Sequence, residues 1–208
     1  MGVRMKKAFS ILLCLVLLFS LTSCGSIKRV EPFVWGFSNH NIDNYEKNRA
    51  KIEYASDYMP DLNELDGYNA ISYSYQYTNS VFFDSNSIAL FVEYPKDLYE
   101  EKKNEVLASY DFLEATKISN DGEYYQSAPA KFEYGGYDFC TYANLTVGYY
   151  TDCACKSFGF IGTDDDKNRI AYCYFYDFDL DTFGSVNRSE QEMITDFIND
   201  FFDWNDLP

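Results

Sequence analysis

Residues 70–78 read Ala-Ile-Ser-Tyr-Ser-Tyr-Gln-Tyr-Thr, and the side chains alternate strictly between two kinds from Ile71 to Tyr77. Alternation with a period of two places each kind on its own side of an extended strand. The stretch therefore predicts a half-buried β-strand. Because Ile71 lies on the same side as the tyrosines, that side is favoured as the one that faces the core.

The β pattern continues directly after this strand. Residues 81–83 and 88–94 are mainly apolar, and between them lies the polar stretch Asp-Ser-Asn-Ser at 84–87. Such residues are typical of turns, since their short side chains hydrogen-bond to the local backbone. A β-hairpin that turns at 84–87 is therefore predicted.

Two more hairpins are predicted in the second half of the chain. One turns at Gly135-Gly136, and the other at a polar tip formed by residues 162–168. Their strands are predicted over residues 130–134, 137–142, 153–161 and 169–178. Because short turns join successive strands, we expect an antiparallel sheet of about six strands.

The clearest helix signal lies at residues 189–202. Ser189 and Glu192 have the spacing of a capping box, and apolar side chains follow in adjacent pairs spaced by four. These side chains are Met193, Ile194, Phe197, Ile198, Phe201 and Phe202. Their burial predicts a helix that packs on one face of the sheet.

Two further helices are predicted earlier in the chain. Residues 41–58 have helical periodicity, and Asp43 and Glu46 resemble a second capping box. Residues 95–113 begin with a proline, which is favoured at the first helical position. Helices packed against an antiparallel sheet indicate a single α+β domain.

The composition excludes two classes of partner. The chain has 33 acidic and 17 basic residues, a formal charge of −16, and its aromatic residues make up 19% of the sequence. The aromatic content indicates a folded chain and not a disordered one. The negative charge repels nucleic acid and anionic lipid surfaces, so neither is an expected partner. A cationic partner, metal ions and solubility alone are each compatible with this charge.

The N-terminal residues have the layout of a secretory signal. Arg4, Lys6 and Lys7 precede a mainly apolar run at 8–19, which is too short to span a bilayer. The sequence Leu-Thr-Ser-Cys follows at 21–24. These four residues and the run before them resemble the lipobox of bacterial lipoproteins.

The resemblance implies a processed and lipidated chain. Residues 1–23 would be removed as the signal peptide, Cys24 would carry a diacylglycerol, and residues 24–39 would tether a domain formed by residues 40–208. Two acyl chains hold a protein stably at a membrane. The expected location is the extracytoplasmic face of the cell membrane, with a mature charge of −19 once three basic residues are removed.

Four cysteines follow the lipidation site, namely Cys140, Cys153, Cys155 and Cys173. Export permits disulfides. If the hairpin turns near Asp165, Cys155 and Cys173 lie nearly opposite each other, and a disulfide between them is predicted, with buried free thiols as the alternative. Two thiols one residue apart are not a common zinc spacing, so no metal site is predicted.

Motifs for catalysis and cofactors are weak. His40 is the only histidine, so a Ser-His-Asp or Cys-His site would require it. Residues 177–181 carry aspartates at alternate positions, but Thr182 and Arg188 stand where an EF-hand needs Gly and Glu. A looser calcium site at these carboxylates or at 164–166 is less favoured than a solvated turn. No catalytic residue and no cofactor is predicted.

Two rows of alternating tyrosines are the remaining candidate site. They are Tyr73, Tyr75 and Tyr77, and Tyr172, Tyr174 and Tyr176. A row that faces solvent would form a stacking surface for a glycan or a partner protein, whereas a row that faces the core would only stabilise it. Ile71 and Ile170 share the sides of their rows, which favours the core.

These patterns predict a non-catalytic surface lipoprotein. It would bind a protein, a peptide or a glycan at the cell envelope, with a tyrosine row as the contact surface. A hydrolase that uses paired carboxylates is one alternative, because the 33 acidic residues single out no pair and exclude none. A structural component of the envelope is the other.

Overall fold

The computed structural model describes residues 34–80, 83–115, 117–120, 125–143, 157–177 and 189–204. The chain divides into two compact units, 1–34 and 35–208, and the described residues other than Val34 belong to the second. The predicted signal peptide, Cys24 and most of the predicted tether lie outside the described residues. Within the described ranges, no helix combines the length and apolarity needed to cross a membrane.

The described part of the chain contains nine strands. They are β1 (Val34–Asn39), β2 (Ala70–Ser80), β3 (Phe83–Glu93), β4 (Lys117–Asn120), β5 (Tyr125–Ala128), β6 (Lys131–Tyr134), β7 (Tyr137–Thr141), β8 (Ser157–Asp164) and β9 (Arg169–Asp177). Seven form one antiparallel sheet in the order β1-β2-β3-β9-β8-β7-β6, while β4 and β5 pair separately. The antiparallel sheet is confirmed, with seven strands instead of about six because the end of the predicted tether forms β1.

The first hairpin turns earlier than predicted. Strands β2 and β3 pair continuously from Ala70 and Glu93 to Ser80 and Phe83, and the two residues between them lie outside the described residues. The predicted turn at 84–87 was wrong. Those polar residues continue the strand because their side chains find partners within the fold: Asn86 accepts a hydrogen bond from Tyr75, and Ser87 donates one to the carbonyl of Phe201.

The other two hairpins form near their predicted positions. Gly135 and Gly136 turn between β6 and β7 with φ angles of +60° and +88°, a region that glycine enters without steric cost. Between β8 and β9, Asp164 pairs with Arg169, so the turn is shorter than the predicted tip at 162–168.

The predicted helix at 41–58 is divided. A 3₁₀ turn (Ile42–Asn44) leads into α1 (Tyr45–Arg49), and α2 (Ala55–Tyr58) follows after a break. The predicted capping box was wrong: Asn41 caps the first turn, and the Glu46 carboxylate accepts from the backbone of Leu62 instead. The break lies at Tyr54, whose φ of +62° is incompatible with a right-handed helix.

The two later helices agree better with the sequence. Helix α3 (Lys96–Ser109) begins one residue later than predicted, with Pro95 at its N-cap, and ends four residues before the predicted end. Helix α4 (Glu190–Phe201) has the predicted capping box, in which the Ser189 side chain accepts from the Glu192 backbone and the Glu192 carboxylate accepts in return.

The sheet separates two cores of different composition. On one side α4 packs over what we call the phenylalanine face, which contains eight buried phenylalanines: Phe91, Phe132, Phe139, Phe158, Phe160, Phe175, Phe197 and Phe202. On the other side α1, α2 and α3 cover the tyrosine face, with eight buried tyrosines: Tyr45, Tyr73, Tyr75, Tyr94, Tyr99, Tyr142, Tyr172 and Tyr174. Trp204, beyond α4, packs edge-on to Phe91 and Tyr134 at centroid distances of 5.1 and 5.0 Å.

Candidate functional site

Both predicted tyrosine rows face the interior over most of their length. Tyr73, Tyr75, Tyr172 and Tyr174 are buried beneath the helices of the tyrosine face. Interpreting these four as a solvent-facing contact surface was wrong, and the alternative, that they face the core, is confirmed. The physical reason is the one visible in the sequence, since Ile71 and Ile170 share this side of the sheet.

The last tyrosine of each row emerges from under the helices. Tyr77 and Tyr176 are only half-buried, and both pair across the sheet with Asn86, from opposite sides. They therefore lie on one face, two strands apart, with the amide of Asn86 between them. Because neighbouring strands are about 4.8 Å apart, their backbones are separated by about 10 Å.

Two aromatic residues outside the rows extend this surface. Phe37 of β1 is 50% exposed, and its ring lies 5.6 and 5.8 Å from the rings of Tyr75 and Tyr77. Tyr54, before α2, is 38% exposed and lies close enough to Tyr176 to influence its ionisation. We call Phe37, Tyr54, Tyr77 and Tyr176 the aromatic platform. It is the candidate functional site.

Hydrogen bonds fix the centre of the platform. Tyr75 donates to the Oδ1 of Asn86 over 2.7 Å. The Nδ2 of Asn79 donates to the hydroxyl of Tyr77 over 3.0 Å. Tyr176 donates to the Glu53 carboxylate over 2.5 Å. The aromatic rings are therefore held in place before any ligand arrives.

Tyr54 is held in a conformation that costs free energy. Its φ of +62° is rare for a non-glycine residue and is expected to cost about 1–3 kcal/mol. The neighbouring Glu53 carboxylate raises the pKa of Tyr54 through a hydrogen bond and through its charge. This backbone conformation accompanies an exposed ring beside Tyr176.

The phenols of Tyr75 and Tyr176 stay protonated at ordinary pH. Burial raises the pKa of Tyr75 to about 12. Burial also raises the pKa of Tyr176, and its hydrogen bond to Glu53 raises it further. The hydroxyls therefore act as donors and the rings remain uncharged.

Charges of both signs border the platform. The ammonium of Lys51 lies 5.7 Å from the ring centroid of Tyr75, a cation–π contact. On the other side are Glu53, already bonded to Tyr176, and Asp84, whose charge raises the pKa of Tyr176. The surroundings of the platform are thus mixed in charge, in contrast to the strongly acidic chain as a whole.

The cysteines have other neighbours than predicted. The β8–β9 hairpin turns later in the chain than predicted, so Cys173 lies opposite Phe160. In this register Cys173 does not lie opposite position 155, as the disulfide prediction required. The thiols of Cys140 and Cys173 are free, and that of Cys173 is buried. Cys153 and Cys155 lie outside the described residues, but because the Cys173 thiol is free, the predicted Cys155–Cys173 disulfide is wrong and the alternative of a buried free thiol holds for Cys173.

The histidine has an acidic partner. The Nε2 of His40 lies 3.3 Å from a carboxylate oxygen of Asp203, beyond α4. Within the described residues, the other ring nitrogen is buried and makes no hydrogen bond, so no serine or cysteine completes a catalytic arrangement there.

Acidic residues come together around cations. Glu46 and Asp61 both bind Arg49, and Asp66 and Glu105 both bind Lys102. Tyr99 and Lys103 bind the same oxygen of Asp165, one of the acids considered for calcium. Among the described residues, no group of three potential ligands is placed to hold a metal ion.

A small cavity lies at the other end of the sheet from the platform. It measures about 40 Å³, enough for one or two water molecules. Its walls are formed by Ala70, Ile71, Ser72, Phe91, Glu93 and Arg169.

Comparison with known proteins assigns no family. The chain matches no protein-family model, no curated protein and no solved structure. The function is therefore inferred from the geometry of this chain alone.

Sequence reasoning found half of the platform. Tyr77 and Tyr176 belong to the predicted rows, whereas Phe37 was assigned to the tether and Tyr54 to the interior of a helix. The signal for Phe37 was present, because an apolar segment is unusual in a free linker. Nothing in the sequence around Tyr54 indicates its left-handed backbone, since that conformation is usual only for glycine and asparagine.

Proposed function

We propose that this protein is a lipid-anchored binding module on the extracytoplasmic face of the cell membrane. Cys24 would carry the anchor, and the aromatic platform would contact a protein, a peptide or a glycan of the envelope. The domain acts by binding and not by catalysis.

The aromatic platform is the observation that carries this proposal. Large exposed aromatic side chains are enriched at binding surfaces, since each removes much apolar area from water with few rotatable bonds. Here Phe37 and Tyr54 are markedly exposed, and fixed hydrogen bonds order the two tyrosines beside them. A surface that is already ordered loses little entropy on binding.

Photo-crosslinking in intact cells tests the contact. Replacing Tyr54 with p-benzoylphenylalanine puts a photoreactive group on the platform. We expect irradiation to join the protein to a discrete envelope component. The matched control is the same replacement at Tyr68, which is 40% exposed and precedes the opposite end of β2. Crosslinking that is absent at position 54, or equal at both positions, would overturn the proposal.

The anchor has its own test. Cys24→Ala removes the thiol that would accept the lipid, so we expect the protein to move from the membrane fraction to the soluble fraction. Cys14→Ala, within the predicted signal peptide, is the control and should leave the protein in the membrane. A Cys24→Ala protein that remains membrane-bound would contradict anchoring at this residue.

A further inference from the structure

We propose that the ligand of the aromatic platform is an uncharged glycan, with two sugar rings of one chain stacked on Tyr77 and Tyr176 and the sugar between them hydrogen-bonded to Asn86. This inference rests on the proposed binding function and names the chemical class of its ligand.

The platform places two flat aromatic rings on either side of a polar amide group. A pyranose ring has an apolar C–H face, which packs on the electron-rich face of an aromatic ring, and hydroxyls around its edge. Tyr77 and Tyr176 supply two such rings from strands whose backbones are about 10 Å apart. The amide of Asn86 lies between them, where it can meet the hydroxyls of a chain that spans both rings.

The charges of the chain and of the residues around the platform favour a neutral ligand. An anionic polymer would be repelled by a chain of formal charge −16. A cationic ligand would meet the carboxylate of Asp84, but Glu53 is bonded to Tyr176, and the ammonium of Lys51 lies over Tyr75 on the same surface. Mixed and partly engaged charges favour a neutral ligand over either ionic class.

The tyrosine side chains of this surface are ordered by hydrogen bonds within the domain. The hydroxyls of Tyr75, Tyr77 and Tyr176 each have a hydrogen-bond partner within the domain. A protein or peptide partner can reshape a flexible surface, whereas a sugar chain gains little from each contact and needs rings already in position. The hydrogen bonds within the domain hold the tyrosine rings in such a position.

Calorimetric titration of the full-length protein in detergent tests this inference. The probes are neutral oligosaccharides of one to six residues, made of β-linked glucose, xylose or N-acetylglucosamine. We expect one of these series to bind, with affinity that rises until the chain spans both tyrosines and then levels off. Because a neutral ligand is insensitive to screening, the affinity should not change between low and high salt.

Three variants locate the binding. Tyr77→Ala and Tyr176→Ala should each weaken it by about threefold to tenfold, the loss expected for one aromatic contact. Tyr68→Ala, at an exposed tyrosine away from the platform, should have no effect. Tyr176→Phe separates stacking from hydrogen bonding, since it keeps the ring and should keep most of the affinity.

Failure of this inference differs from failure of the proposed function. If no neutral oligosaccharide binds while crosslinking from Tyr54 still captures an envelope component, the glycan inference is overturned and the binding function stands. Binding that is unchanged in both alanine variants would also overturn it, because the sugar would then occupy another surface. If both the oligosaccharides and the crosslinking fail, the two proposals fall together.

Discussion

Buried phenylalanines occupy one face of the sheet and buried tyrosines the other; both faces contain edge-on and stacked ring pairs, but the two groups are held in place differently. On the phenylalanine face, Phe197 meets Phe158 and Phe175 edge-on, at interplanar angles of 89° and 79°. On the tyrosine face, Tyr58 stacks nearly parallel to Tyr142 and Tyr174, at 19° and 11°.

The difference lies in what the hydroxyls require. A buried phenol must find a hydrogen-bond partner, since an unpaired one costs about 1–3 kcal/mol. The tyrosine face meets this need at its margin: Tyr45 donates to the carbonyl of Pro60, Tyr99 to Asp165 and Tyr174 to the carbonyl of Glu53. Its tyrosines therefore bind the covering helices and loops at defined points, whereas the phenylalanine face is held by apolar burial.

The largest effect is expected from a charge on the phenylalanine face. Phe197→Asp removes a buried ring and leaves a carboxylate among apolar side chains. The loss is at least about 5 kcal/mol, comparable with the total stability of a domain, so the domain should unfold. Circular dichroism during a thermal scan measures this. Asn199→Asp, on the exposed side of the same helix, is the control, and a cooperatively melting Phe197→Asp protein would contradict the assigned packing.

Alkaline pH should destabilise the domain through the buried phenols of the tyrosine face. Burial raises the pKa of Tyr75 and of Tyr110 to about 12, above the usual value of about 10. Between these values the unfolded chain loses its protons and the folded chain keeps them. The free energy of unfolding therefore falls as the pH rises from about 10 to about 12, and is unaffected by these groups below pH 10.

Tyrosinate absorbance and circular dichroism followed together measure this loss. We expect one cooperative step in both signals. The double variant Tyr75→Phe/Tyr110→Phe should move it to higher pH, whereas Tyr137→Phe, on the phenylalanine face, serves as a single-group control with a smaller shift. Smooth titration near pH 10 without loss of structure would show that the phenols are not protected.

Exchanging one hydroxyl between the faces compares them directly. Phe160→Tyr adds a hydroxyl among Phe132, Phe139 and Phe202, where overpacking and the unpaired group together cost about 2–5 kcal/mol. Tyr174→Phe removes one hydrogen bond and costs only about 0.5–1.5 kcal/mol. Urea denaturation of both variants gives the two values. Equal losses would mean that the faces do not differ in their tolerance of hydroxyls.

A further test concerns one buried polar pair on the tyrosine face. The hydroxyl of Tyr73 donates to Asn39 and accepts from the Nδ2 of Asn48, which is itself buried. Tyr73→Phe leaves this amide without its partner, at a cost of about 1–3 kcal/mol. A double-mutant cycle with Asn48→Ala should give a coupling of about 0.5–3 kcal/mol. A coupling near zero would show that the two side chains contribute independently.

Period and capping made most of the fold predictable. The alternation at 70–78 identified β2, the glycine pair identified the turn between β6 and β7, and the Ser189 capping box fixed the start of α4. These signals are local, so tertiary contacts had little to override.

The missed features depend on contacts that are distant in sequence. The polar residues 84–87 look like a turn until Tyr75 and Phe201 supply partners for them. Strand β1 exists only because it has β2 to pair with. For the same reason the sequence identified Tyr77 and Tyr176 but not their meeting at Asn86, which requires the register of three strands.

The position of Trp204 gives the domain a natural optical reporter. Its indole nitrogen is buried and, within the described residues, makes no hydrogen bond, and its ring touches Phe91 and Tyr134. With Trp35→Phe as background, blue-shifted tryptophan fluorescence would follow the phenylalanine face alone, while tyrosine absorbance would follow mainly the opposite one. If the helices over the tyrosine face loosen first, the tyrosine absorbance would change before the tryptophan fluorescence does.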